Sequence, residues 1–175
     1  MELQMLMDSN LTEAGLLMEY PALHQFLTFR MDCITGLFHD IYRDLKAVKP
    51  SIDLRYNNYL KFPELAGLEY KSVAPYLDSV RDGDYTEQAK ITDNFMHKRH
   101  SINKIRRAIG FEKPLLAAFA VRPNATVQIL KDSVAVISQL GVDGLTLGHY
   151  DGSTNKLLQA VSDAMDENDI HLKSR

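Results

Sequence analysis

The feature that most constrains the fold of this chain is a recurring strand-then-helix unit. Candidate strands begin near Ile52, Ser79, Leu115 and Gly144, at intervals of about 27, 36 and 29 residues. A βαβ unit occupies roughly 30 residues and its crossover is right-handed, so this rhythm predicts parallel strands with helices between them.

The units can be placed along the chain. Leu23, Leu27, Met31, Ile34, Phe38, Ile41, Leu45 and Val48 recur at steps of three and four, which predicts one helix from Pro21 to Val48 with a single apolar stripe. Lys49-Pro50 ends it, because proline disfavours helix in the residue before it. Apolar and polar residues alternate in a strand from Ile52 to Asn57, followed by a helix near Tyr70–Leu77 and a strand over Ser79–Tyr85. A helix from Asn94 to Ile109 carries Phe95, Ile102, Ile105 and Ile109 on one side, with Gly110 as its C-cap. Leu115–Arg122 is almost continuously apolar, as buried parallel strands are. The helix Val127–Leu140, the strand Gly144–Tyr150 and a last helix N-capped by Ser153 or Thr154 complete the pattern. Residues 1–20 read as a helical extension, 21–166 as the domain and 167–175 as a polar tail.

The class is therefore α/β, and two architectures fit it. One is half of a (β/α)8 TIM barrel, with about four parallel strands each followed by a helix. The other is an open doubly wound sheet. The half barrel is favoured. The chain opens on a long helix with no strand before it, as if cut within a unit, and every strand leads into a polar cluster at its C-terminal end. No GxGxxG or Walker-type loop is present to mark a nucleotide fold. A half barrel has two open parallel edges, so it is expected to pair with a second copy or with a partner chain that supplies the other four strands.

Composition narrows the function classes. The chain has 175 residues, 45% hydrophobic and 25% charged, with a net charge of −3, which is the ordinary globular range. Lys98, Arg99, Lys104, Arg106 and Arg107 are the densest cations and read as a solvated helix face, so nucleic acid is not an expected partner. No apolar run approaches the roughly 20 residues of a membrane span, and a cytoplasmic location is the default unless a longer precursor carries a secretion signal. Cys33, the single cysteine, sits in a helical apolar pattern and reads as a buried thiol. His97 and His100 lack a third ligand, and His149 with Asp151 is too short a motif for a metal site, so neither metal nor cofactor is expected.

The strand ends hold the residues with chemistry. Arg55, Asn57 and Asn58 offer a donor-rich edge for sugar hydroxyls or a carboxylate, or else form a salt bridge and turn. Arg81-Asp82-Gly83-Asp84-Tyr85-Thr86-Glu87 brings three carboxylates together. Asp82 and Asp84 share a strand parity, so both are expected to face the mouth, and mutual repulsion can keep one protonated as a general acid. Glycoside hydrolysis needs two such carboxyl groups, although Asp-Gly-Asp is also ordinary turn chemistry. Arg122 suits bidentate binding of a carboxylate or a structural ion pair. His149, Tyr150 and Asp151 offer an acid/base pair and a ring to stack on a sugar.

Five segments together carry a family resemblance: Phe29-Arg30-Met31-Asp32, Asp53 to Tyr59, Asp78 to Tyr85, Val121 to Thr126 and Leu147 to Gly152. Over roughly residues 21–165 the chain resembles the C-terminal half of TIM-barrel proteins of the glycoside-hydrolase-like kind, broadly the β-galactosidase type. The resemblance implies a (β/α)8 fold and a carbohydrate substrate. Retaining enzymes of that group carry glutamates after the fourth and seventh strands. With these strands as fifth to eighth, the first glutamate falls outside the chain and the second falls near Val121-Arg122, where none stands. The expectation is therefore a glycosidase using Asp82, Asp84 or Glu87, with Arg55, Asn57, Asn58, Arg81, Tyr85, Arg122, His149, Tyr150 and Asp151 binding substrate. The alternatives are a non-catalytic half barrel and an isomerase or lyase with His149 as base.

Overall fold

A computed structural model describes residues 19–59, 63–83, 93–121, 125–148 and 152–170, with residues 93–97 and 119 described in backbone only. Helix α1 spans Pro21–Val48. Proline at its start has φ already set for helix and no N–H to satisfy. The helix stops where Lys49 turns extended ahead of Pro50, its N–H closing on the Leu45 carbonyl at 2.8 Å. The apolar stripe expected along α1 is only partly used. Leu27 is buried and Ile34 and Phe38 pack on the core, whereas Ile41 and Val48 are exposed, as are Phe26, Phe29 and Leu37. Cys33 is exposed rather than buried, because it lies on the side of α1 that no other described element covers.

Strand β1 (Arg55–Asn58) follows, then a 3-10 turn at Glu64–Ala66, helix α2 (Tyr70–Val73) and a second 3-10 turn at Ala74–Tyr76. Glu69 caps α2, accepting from the Ser72 N–H at 3.0 Å. Strand β2 (Ser79–Asp82), helix α3 (Asp93–Ile109), strand β3 (Leu115–Ala120), helix α4 (Val127–Ser138), strand β4 (Gly144–Gly148) and helix α5 (Asn155–Glu167) complete the order. Thr126 caps α4, and Thr154, not Ser153, caps α5. Strands β2 and β3 end three and two residues earlier than their sequence pattern, at Asp82 and Ala120.

The four strands form one all-parallel sheet in the order β1-β2-β3-β4. Spatial order equals chain order, so these strands contain no reversal of the kind that defines a doubly wound sheet. Half of a closed barrel and an open sheet both accommodate this order.

Register shows where the core sits. Tyr56 pairs with Val80, Val80 with Leu115, and Ala117 with Leu145. Side chains alternate along a strand, so these residues share one sheet face. All belong to a single hydrophobic cluster with Ile34 and Phe38 of α1, Tyr70 and Val73 of α2, Ile102 and Ile105 of α3, Leu130, Val134 and Ile137 of α4, and Leu157 and Val161 of α5. Every described helix therefore packs on the same face, in the lateral sequence α1, α2, α3, α4, α5. Among the described residues no helix is long and apolar enough to cross a membrane.

The basic run on α3 is a solvated face only in part: Arg99 and Arg107 are exposed, but Lys98 and Arg106 turn inward. Lys98 is 0% exposed and Arg106 is 6% exposed. The guanidinium of Arg106 donates to the carbonyls of Gly110 (2.8 Å), Lys113 (2.9 Å) and Gly141 (2.7 Å) and to Asp143 Oδ2 (2.8 Å), tying the end of α3 to the entries of β3 and β4. Lys98 Nζ donates to the Ala118 carbonyl at 2.5 Å. The β2–β3 pairing ends at Asp82 opposite Ala117, one residue short of Ala118, so this carbonyl lies just past the end of the ladder.

Candidate functional site

The sheet face turned away from the helices carries the polar residues of opposite parity: Arg55 and Asn57 on β1, Ser79 and Arg81 on β2, Thr146 on β4. Register sets Arg55 beside Ser79 and Asn57 beside Arg81. Arg55 Nη2 donates to Asp53 Oδ2 at 2.8 Å, and its Nε donates to Ser79 Oγ at 3.0 Å. The serine hydroxyl in turn donates to Asp53 Oδ1 at 3.0 Å. This closed triangle fixes the N-terminal half of the face and uses Arg55 structurally.

Arg81 governs the C-terminal half. Its Nε donates to Thr146 Oγ1 at 2.7 Å. That bond reaches from β2 over β3 to β4, roughly twice the 4.8 Å strand spacing. The β3 residue laterally beside Thr146 is Ala118, whose methyl leaves the crossing open. Arg81 Nη1 donates to the Tyr59 hydroxyl at 2.7 Å, and its guanidinium carbon lies 5.9 Å from that ring's centre. Gly83 explains why the ring can lie there. A Cβ on Gly83 would fall 2.6 and 2.8 Å from ring carbons of Tyr59 and 2.5 Å from the Asn58 carbonyl, which the Gly83 N–H binds at 2.6 Å. The glycine serves close approach, beyond the turn chemistry that its sequence context suggests.

Asp82 and Asn58 are corrected. Both were expected at the open edge, and both point into the helix side. The reason is parity: Asp82 stands two residues after Val80 and Asn58 two after Tyr56, so each follows its apolar neighbour inward. Asp82 is 0% exposed. Its Oδ1 accepts from Asn58 Nδ2 at 3.2 Å and from Ser101 Oγ of α3 at 2.9 Å. A carboxylate so enclosed holds β1, β2 and α3 together and does not reach a molecule on the opposite face. Of the anticipated Asp82–Asp84 pair only Asp82 is described, and it faces the helices and not the open face.

Beneath it lies Tyr70. Burial drives its phenol well above the ordinary tyrosine range, and Tyr56 and the carboxylates of Asp82 and Glu64 push it the same way. Burial alone raises Tyr56. The Tyr70 hydroxyl has no hydrogen-bond partner among the described residues. Glu64 is ion-paired with Lys104 of α3.

The structure thus brings Arg55, Asn57 and Arg81 to one face and separates Asn58 and Asp82 from them. Asp84, Tyr85, Glu87, Arg122, His149, Tyr150 and Asp151 lie outside the described residues. Tyr59, Ser79 and Thr146 belong to the face and were not singled out from sequence. Thr146 is readable as the polar residue between Leu145 and Leu147, whereas Tyr59 meets Gly83 only in the folded chain. Comparison with protein-family models, with curated proteins and with solved structures finds no match in any of the three.

Proposed function

We propose that this chain supplies half of a (β/α)8 barrel and that the strand ends on its helix-free face form a carbohydrate-processing site. The observation that carries this reading is Arg81, anchored by Thr146 and Tyr59 at the C-terminal ends of the strands, with Asn57 beside it. Barrel enzymes build their sites at that end. Asn57 and Arg81 present donors and an amide oxygen suited to sugar hydroxyls. Asp84 and Glu87 remain the acid/base candidates of this reading, and Asp82 becomes a positioning residue. The test is a screen of nitrophenyl glycosides against the purified chain and any protein that co-purifies with it, alongside Arg81→Ala and Glu87→Gln. Turnover lost in both variants supports the reading. Turnover that both variants retain removes it.

A second reading, assembly without catalysis, is favoured by the helix count. Among the described residues five helical segments flank four strands: α1, the stretch Glu64–Tyr76, α3, α4 and α5. Both outer strands already have a helix beside them. A closed eight-stranded barrel needs eight helices, so the complement that fits has four strands and three helices, beginning and ending on a strand. Under this reading the polar face is a barrel interior that another unit covers, and no glycoside is turned over.

A further inference from the structure

We infer that Tyr59 is the ring platform of the site, against which the C–H face of a pyranoside packs. This rests on the carbohydrate reading and adds a residue and a ligand class to it. Three observations converge on this side chain. Tyr59 directly follows β1, at the C-terminal rim of the sheet. It is held in one orientation: Gly83 makes room for the ring edge, and Arg81 Nη1 binds the hydroxyl at 2.7 Å. It is nonetheless 58% exposed.

An aromatic ring both fixed and exposed is unusual, because a large apolar side chain is fixed most often by burial. Here a glycine and a charged hydrogen bond help to fix the ring, while the residue stays largely at the solvent. The π-face carries negative charge density and attracts the polarised C–H groups on one side of a pyranose. Pre-organisation matters for such a weak contact, since a ring already ordered loses little rotamer freedom on binding. A sugar lying on Tyr59 would have its rim hydroxyls near Arg81, which binds the same ring, and near Asn57, which pairs laterally with Arg81. One platform and two polar groups then recognise ring shape and hydroxyl pattern together.

The experiment titrates methyl β-D-galactopyranoside and methyl β-D-glucopyranoside into the full chain carrying labelled tyrosine, with ring signals of Tyr59 assigned through Tyr59→Phe. Tyr59 ring protons shift on titration, Tyr59→Phe keeps affinity within about threefold, and Tyr59→Leu and Tyr59→Ala lose about tenfold. Gly83→Ala, which displaces the ring without removing it, loses affinity like Tyr59→Ala. Binding by Tyr59→Ala equal to that of the unmodified chain overturns the platform while leaving the carbohydrate reading in place. Failure of both pyranosides to bind the unmodified chain overturns the two together.

Discussion

Asp78 and Asp143 are equivalent residues two strands apart. Asp78 precedes β2, and its N–H donates to the Leu54 carbonyl at 3.0 Å while its Oδ2 accepts from the Leu54 N–H at 2.8 Å. Asp143 precedes β4 and makes the same two bonds with Leu115, each at 2.8 Å. A cation completes each pair: Lys46 on Asp78 and Arg106 on Asp143, both at 2.8 Å. The motif locks the register at the N-terminal ends of β1–β2 and β3–β4.

The first prediction concerns acid stability. Burial pushes the Asp78 carboxyl up, but the bonds from Lys46 and Leu54, with the charges of Lys46 and Lys113, outweigh it and hold the group below its ordinary value. A depressed carboxyl stabilises the fold above its unfolded pKa, about 3.9. That contribution is lost as pH falls through the lower folded value. Asp78→Asn should therefore cost about 1 kcal/mol near neutrality. The difference from the unmodified chain should shrink below pH 4. Urea unfolding at pH 7 and pH 3 measures both, and an equal gap at the two pH values would contradict the assignment.

Arg81 and Thr146 give a second prediction. Thr146→Val removes the acceptor and should move the Arg81 Nε resonance while changing stability by less than about 1 kcal/mol. Ala118→Leu should break the same bond by filling the path across β3, and should cost about 1–3 kcal/mol through overpacking. An unmoved Nε signal in Ala118→Leu would mean that the side chain takes another route.

Lys98 gives a third. Its stem fills core volume and its ammonium satisfies a carbonyl at the end of a strand ladder. Lys98→Ala should cost about 2–4 kcal/mol, combining a cavity with a lost buried bond. Lys98→Met restores the volume and should recover part of that loss. Identical unfolding midpoints for the two variants would show that packing contributes nothing.

What could be read from the sequence was whatever alternation and period encode locally. Val80, Tyr56 and the strand Leu115–Ala120 announced the helix-facing parity, and the spacing of units announced a parallel sheet. The same parity places Asp82 and Asn58 inward, whereas their polarity suggests exposure. The two cues conflict wherever a polar pair satisfies itself beneath a helix, as these do with Ser101. Lys98 and Arg106 were not legible at all. Their burial depends on where β2–β3 pairing ends and on three loop carbonyls that converge only in the folded chain. Tyr59 needed Gly83, a residue 24 positions away in the chain that lies against it through β1–β2 pairing.

Tyr70 supports a fourth prediction, of opposite sign. Its hydroxyl is buried with no hydrogen-bond partner among the described residues, and its phenol is held neutral across the ordinary pH range. Removing an unsatisfied polar atom while keeping the ring should be neutral or stabilising by about 1 kcal/mol. For a chain of this size that is roughly 2–4 °C in melting temperature. The edge contact with Tyr56, at 6.1 Å between ring centres, survives in Tyr70→Phe. A marked loss of stability in that variant would reveal a partner for the hydroxyl.

The last prediction separates the two ways of closing the barrel. A second copy placed so that its β1 pairs with β4 would bring its own α1 to the outer side of that seam. That space is flanked by α5 and by a groove lined by Leu147, Leu158, Val161, Met165 and Ile170 together with Ser162 and Asp166. Two helices would then compete at each of two seams. The unmodified chain should therefore not form a dimer closed edge to edge. Deleting residues 1–48 leaves four described helical segments for four strands and removes the competition. The measurement is light scattering combined with a maleimide cross-linker on Cys33→Ser protein carrying Asn57→Cys and Gly148→Cys. A cross-linked dimer should appear for the deleted chain and not for the chain that keeps α1. The same dimer in the chain that keeps α1 would show that the seam holds both helices, and that a second copy is a sufficient complement.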